Sequence, residues 1–283
     1  MNRISHDTEH KAEGLEDLSI PLHEMFISIE GEGPEVGTPT IFVRTAGCDF
    51  KCPFCDTRKS WDLENSDTFT VSKLVRMVER GLCSCVRRVS VTGGNPALHK
   101  DGVLALITAL QAPGRCFNLE HPGVHAYSYS EEFEFIRKLC EATVEGSRFH
   151  LSMDVKIPLL SRDSEGTKDS YLEGVSYLIA HNVLLKAIEG HSDRCSASVK
   201  VLVQNEGDFD FFADKVDFLT EGLHNLNITY WVAPVRGPQN EVSRAFIGYI
   251  TDRLSYHPAF SRVGQPHFIW RLNPNLHIQL GIR

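Results

Sequence analysis

The 283-residue chain predicts an α/β fold with mainly parallel strands. Three observations lead there. Apolar runs of strand character alternate with stretches of helical periodicity, the pattern of repeated βαβ units. Residues able to do chemistry fall repeatedly at the C-terminal ends of the predicted strands, the edge where α/β enzymes place their sites. Composition is ordinary for a globular protein, 42% hydrophobic and 23% charged, and the length suits one large domain.

The first strand is expected over residues 22–29, where Met25, Ile27 and Ile29 alternate with Glu24, Phe26 and Ser28. It runs into the turn Glu30-Gly31-Glu32-Gly33-Pro34, whose glycines permit close backbone approach. A second strand returns over 40–46 and carries Arg44 among Ile41, Phe42 and Val43. Thr70 opens a helix ending at Gly81, with Val71, Leu74, Val75 and Val78 on one face. A strand over 88–91 stops at Thr92-Gly93-Gly94-Asn95-Pro96, and its glycines are expected to leave backbone N–H groups accessible.

Alternation then continues with a helix over 103–110, a strand over 116–120 and a helix over 131–145. A strand over 149–156 ends in Asp154-Val155-Lys156. Helices over 171–188, 208–219 and 241–256 alternate with strands over 198–203 and 228–232. The aromatic stretch 267–283, with Trp270 and His277, is expected to pack back on the core. Residues 1–20 read as a flexible tail and 21–283 as one catalytic domain.

The net charge of −8 excludes nucleic-acid binding through a basic surface. No apolar run approaches the roughly 20 residues that span a bilayer, and the polar N-terminus lacks the apolar core of a secretory signal. A cytoplasmic protein without membrane or nucleic-acid partners is the expectation. Its eight cysteines therefore read as thiols rather than disulfides. Cys116 and Cys140 fall in apolar contexts, as small core residues do, whereas the close pair Cys83-Ser84-Cys85 is either structural or metal-binding.

Cys195 is a further isolated cysteine, and the other three form Cys48-x3-Cys52-x2-Cys55, on a loop after an apolar strand. Three thiolates so spaced suit a four-iron cluster with one iron lacking a protein ligand. That open position takes a bidentate ligand such as the amino and carboxylate groups of S-adenosylmethionine, and the radical chemistry then belongs to the cofactor. A closed zinc site is the competing reading; it needs a fourth ligand, for which Cys83, Cys85 and His99 are the nearest candidates. Phe54 is placed to pack on the adenine of S-adenosylmethionine.

Cys-x3-Cys-x2-Cys followed by Gly93-Gly94 resembles the radical S-adenosylmethionine superfamily. More narrowly, six stretches in order resemble the 7-carboxy-7-deazaguanine synthase family: 29–33, 44–48, 55–57, 92–98, 154–158 and, more weakly, 198–203. The resemblance implies an abbreviated (partial) radical-SAM βα barrel. It also implies a lyase that converts 6-carboxy-5,6,7,8-tetrahydropterin to 7-carboxy-7-deazaguanine, with loss of ammonia, for queuosine or other 7-deazapurines. The implied cofactors are a [4Fe-4S] cluster on Cys48, Cys52 and Cys55, S-adenosylmethionine, and Mg2+ held by Thr57. Gly94, Asp154, Val155 and Lys156 would contact S-adenosylmethionine. Ile29, Glu30, Gly31, Arg44, Thr92 and Glu120 would line the pterin pocket, with Arg44 on the substrate carboxylate. A homodimer and a one-electron donor such as flavodoxin or ferredoxin are further implications. The chain departs from the family pattern at Glu30, commonly Gln, at His121-Pro122-Gly123, often Thr-Gln-Gly, and at Asp154-Val155-Lys156, often Ser-Pro-Lys. The alternative activity is a glycyl-radical-enzyme activating protein, which acts on a polypeptide.

Overall fold

The computed structural model describes residues 15–123, 129–159, 174–223, 225–226, 228–235, 242–256, 260 and 269–272. Its nine described strands form one sheet: β1 (Ser19–Ile29), β2 (Pro39–Thr45), β3 (Asp67–Thr70), β4 (Arg88–Gly93), β5 (Cys116–His121), β6 (Arg148–Lys156), β7 (Cys195–Val203), β8 (Ile228–Pro234) and β9 (Ile269–Leu272). The order across the sheet is β3-β1-β2-β4-β5-β6-β7-β8-β9. From β2 to β9 every neighbouring pair is parallel; β1 runs antiparallel to both β2 and β3. The sheet is open: β3 and β9 are its two edges.

Strands laid down successively in one direction, with right-handed crossovers, place their helices on one face. These are α1 (Val71–Gly81), α2 (Lys100–Ala109), α3 (Tyr129–Ala142), α4 (Gly174–Leu185), α5 (Glu206–Thr220) and α6 (Arg244–Tyr256), each packed on the next. The core lies between this layer and the sheet: Val43, Val91, Leu119, Leu151 and Val199 meet Leu74, Leu106, Ile136, Leu178 and Phe212. Local chemistry sets the helix starts. The Thr70 hydroxyl accepts from Lys73 N at 3.3 Å, and the Asn205 side chain accepts from Asp208 N at 2.9 Å.

Strand β3 was not legible in the sequence, because four residues reading Asp-Thr-Phe-Thr carry no apolar alternation. Its pairing with Ser19–Leu22 draws β1 two residues into the predicted tail, of which residues 1–14 lie outside the described residues. The predicted helix over 171–188 is α4 followed by a 3-10 turn at Lys186–Ile188, with 171–173 outside the described residues. Of the C-terminal stretch, β9 is described and lies beside β8; His277 falls outside the described residues.

Candidate active site

Parallel strands covered on both faces usually read as continuous apolar runs. Here they alternate, and the register aligns the polar residues into rows. Ser90 lies beside Asn118, Asn118 beside His150, and His150 beside Ser196. Further toward the strand ends Arg44 lies beside Thr92, Glu120 beside Ser152, Ser152 beside Ser198, and Asp154 beside Lys200. The helices cover the other face, so this face forms a polar cleft. Its floor is buried, as at Ser90, Asn118 and Ser198, while Glu120, Asp154 and Lys200 are half-buried at its mouth.

The cleft groups are joined by hydrogen bonds and ion pairs. His150 bonds Ser196 Oγ at 2.8 Å and Ser198 Oγ at 2.9 Å through its two ring nitrogens. Burial, with Arg88 nearby, pushes its pKa down to about 3, which keeps the imidazole neutral. Asn118 Nδ2 donates to Ser90 Oγ at 2.9 Å. Arg88 Nε lies 3.4 Å from Glu30 Oε2, both side chains being almost fully buried. Burial still raises the Glu30 carboxyl above its usual range, against the opposing pull of Arg88. Lys200 Nζ reaches Glu32 Oε2 at 2.6 Å and Asp154 Oδ1 at 3.2 Å. The turn 30–35 is thereby tied across the cleft to β7, and Gly33, at φ +70°, sits over Ser198.

The cysteine loop leaves β2 at the open end of this cleft and is fastened to the loop after β4. Gly94 N donates to Thr45 O at 3.3 Å, Asn95 N to Gly47 O at 2.8 Å, and Asn95 Nδ2 to Asp49 Oδ1 at 2.7 Å. The expectation that Gly93 and Gly94 leave N–H groups for a ligand is corrected at Gly94, whose N–H is committed to Thr45. The glycines serve close approach instead. A Cβ on Gly94 would stand 2.1 Å from Gly47 O and 2.9 Å from Cys48 Cβ, and one on Gly93, at φ +147°, 2.4 Å from Thr45 O.

Cys48 and Cys55 are half-buried and Cys52 buried, all three free thiols. Burial pushes the Cys48 thiol up to about 12 and the Cys52 thiol to about 11, so these two are neutral thiols when unligated and a metal must displace their protons. Lys156 is the nearby cation acting on both. Among the described residues no three His, Cys, Asp or Glu side chains converge as a single metal ion requires. Of the fourth ligands considered for zinc, His99 has its Nε2 engaged with Ala46 O at 2.8 Å, and Cys83 and Cys85 precede β4, at the opposite end from Gly93. Three free cysteines on one loop fit a cluster that takes three cysteine ligands.

The other predicted residues gather at this end of the sheet, with distinctions the sequence did not give. Arg44 Nε lies 3.0 Å from Glu24 Oε1, its guanidinium stacked over Phe26. Thr92 Oγ1 donates to Glu120 Oε2 at 3.2 Å. Gly31 N donates to Glu30 Oε1 at 3.2 Å. Thr57 Oγ1 stands 3.8 Å from Cys55 Sγ. Phe54 is half-buried against the core. Asp154 pairs with both Lys156 and Lys200, and Lys156 Nζ sits over the Phe50 ring. Ile29 and Val155 alternate onto the face opposite Glu30 and Asp154, so only their backbones border the cleft. His150, Ser198, Arg88 and Lys200 were not singled out, although the alternation in strands 88–92, 148–156 and 195–201 carries the signal.

Glu120 pairs with Thr92 beneath two other carboxylates. Burial first, then Glu30 and Glu32, push it up to about 7, against Lys200 and Arg44. The folded protein therefore holds this proton longer than the unfolded chain, whose glutamate titrates near 4.5. Stability from this group is complete below pH 4.5 and is lost as pH rises through about 7. In denaturant unfolding of the metal-free protein, Glu120→Gln is expected to flatten this decline; an unchanged slope would locate the titration elsewhere.

The Radical SAM superfamily profile matches residues 42–184, which span β2, the cysteine loop and β4 to β6. The 7-carboxy-7-deazaguanine synthase of Hyperthermus butylicus is 43% identical over 121 residues, 43% of this chain and 50% of that protein. The synthase of the same name from Synechocystis is 30% identical over 154 residues, 52% of this chain and 68% of that protein. Against the first four curated relatives the chain covers half of their length or less. The crystal structure of QueE from Escherichia coli superposes with a TM-score of 0.54 at 19% identity, over 96% of this chain and 98% of that one, a likeness of fold. An open, mostly parallel sheet with a three-cysteine loop at its C-terminal edge agrees with this, and the chain belongs to the radical SAM superfamily, alongside the 7-carboxy-7-deazaguanine synthases.

Proposed function

We propose that this protein converts 6-carboxy-5,6,7,8-tetrahydropterin to 7-carboxy-7-deazaguanine with release of ammonia. The observation that carries the reading is that Cys48, Cys52 and Cys55 lie on the loop leaving β2 at the C-terminal end of the sheet, the end that also carries Arg44 and Glu120, with Glu30 acting on Glu120. The names of the relatives support the same substrate and favour it over a polypeptide, the substrate of a glycyl-radical activating protein. Cys48, Cys52 and Cys55 would hold the cluster, which when bound would supply the one-electron reduction on which S-adenosylmethionine radical chemistry rests.

The chain's own residues bind and orient. Glu120 and Glu30 accept from the guanidine-like edge of the pterin, and donors placed there stabilise ionised Glu120. Arg44 shares its charge between Glu24 and the substrate carboxylate. Thr57 offers a hard oxygen beside the cluster loop, suited to Mg2+ held jointly with that carboxylate. Gly94 and the end of β6 would hold the methionine end of S-adenosylmethionine; its ammonium calls for an acceptor, which at Gly94 would be the carbonyl oxygen, the N–H being engaged. Phe54 packs on the adenine, and Lys156 supplies positive charge beside the thiolates. The Lys200–Glu32 tie holds the turn over the cleft and limits water entry. A homodimer served by flavodoxin or ferredoxin completes the proposal.

Reduced, reconstituted protein incubated with the carboxy-tetrahydropterin, S-adenosylmethionine and magnesium is expected to yield 7-carboxy-7-deazaguanine by mass. Cleavage of S-adenosylmethionine only on addition of a partner polypeptide, with the pterin untouched, would overturn the reading. Thr57→Ala is expected to raise the magnesium needed for half-maximal rate by about tenfold, on the scale of losing one metal-supporting group. An unchanged magnesium titration would make Thr57 a loop hydroxyl.

A further inference from the structure

Cys83 and Cys85 belong neither to the cluster loop nor to the core. Both side chains are exposed, and their Sγ atoms lie 3.0 Å apart, one thiol donating to the other. They stand in the short connection from α1 to β4, whose turn is closed by Cys83 N donating to Val86 O at 3.0 Å. The cysteine loop abuts the far end of β4; six residues separate the ends of that strand by roughly 16 Å. The pair is therefore an independent feature.

The two thiols are unlike. The hydrogen bond shared with Cys85, followed by backbone N–H groups of Cys85 and Val86, holds the Cys83 thiol below the ordinary range. The same bond raises Cys85. One sulfur is thus a nucleophile, and the other is a proton-bearing partner already in contact with it. Beside them opens a cavity of about 270 Å³, lined by Leu82, Cys83, Arg87, Pro113 and Arg115 among others. Arg115 is paired with Glu79 at 2.7 and 2.9 Å, which leaves Arg87 as the cation flanking the entrance on the cysteine side.

We propose that Cys83 and Cys85 form a two-electron dithiol–disulfide site that reacts with small carboxylate-bearing disulfides. The Cys83 thiolate attacks one sulfur of the disulfide RSSR, forming Cys83–S–S–R and releasing RS⁻, which takes up a proton. Cys85 then gives up its proton and attacks the Cys83 sulfur. The second RSH leaves, and the protein keeps an intrachain Cys83–Cys85 bond. Two protein thiols are oxidised and one RSSR is reduced to two RSH. The side chains already face each other, so the resolving step needs little movement of the turn.

The experiment uses the cluster-loaded protein under anaerobic conditions, equilibrated with defined ratios of reduced and oxidised glutathione, then acid-quenched and alkylated. Trypsin isolates the pair on the peptide 81–87, which contains no other cysteine. The expected product is that peptide lighter by two hydrogens and resistant to alkylation. In Cys85→Ser the same peptide should stop as a stable mixed disulfide on Cys83, and in Cys83→Ser no intrachain bond should form at any ratio. The proposal is overturned if the wild-type peptide stays fully alkylatable at every ratio. It is equally overturned if both cysteines carry separate glutathione adducts with no intrachain bond, or if the peptide is blocked only by a chelatable metal ion.

Discussion

The structure depends on the contact between two backbones: the start of the cysteine loop at Gly47-Cys48 and the loop after β4 at Gly93-Gly94. The space between them excludes any Cβ, since one on Gly94 would overlap Gly47 O. This closeness lets Asn95 bond Gly47 O through its backbone and Asp49 through its side chain, so the cysteine loop rests on the edge of the sheet. A loop so fixed holds the backbone of its first cysteine in one place, which is what assembling a cluster on three ligands requires. Positive φ at Gly93 turns the chain out of β4 without strain.

The second constraint is the polar face. A parallel sheet with one polar face can be stable only if its buried groups find partners. Here they find one another across neighbouring strands, as in Ser90–Asn118 and His150 with two serines. The buried Arg88–Glu30 pair is costly to desolvate and would be worse if broken. It puts a charge opposite Glu30, where the family commonly carries a neutral Gln. Partial exposure rises toward the strand ends, so polar groups left for a ligand collect beside the cysteines. Lys200 closes the circuit by joining the first turn of the chain to the seventh strand.

Much of this was legible in the sequence because it is local. The alternation of strands and helices, the cysteine spacing and the strand-end placement of Glu120 and Lys156 follow from short-range pattern. What was not legible joins distant segments. Arg88–Glu30 spans 58 positions and Lys200–Glu32 spans 168, and no local propensity encodes either. Glycine type gave a correct position but an incomplete reason: tight loop packing at Gly94 looks in sequence like an open anion-binding turn. Ile29 and Val155 share segments with cleft residues, yet strand alternation turns their side chains to the opposite face of the sheet. The edge strand β3 had too few residues to show a period.

Gly94→Ala tests the dependence of the site on loop contact most directly, because it adds one methyl group and leaves every cysteine in place. The methyl must displace Gly47 and Cys48. The account predicts near-native helix and strand content by circular dichroism, with anaerobic reconstitution falling well short of the wild-type iron and sulfide content and cluster absorbance. Full, stable cluster loading in Gly94→Ala would contradict it, and would mean that the cysteine loop finds its geometry without the strand-end glycines.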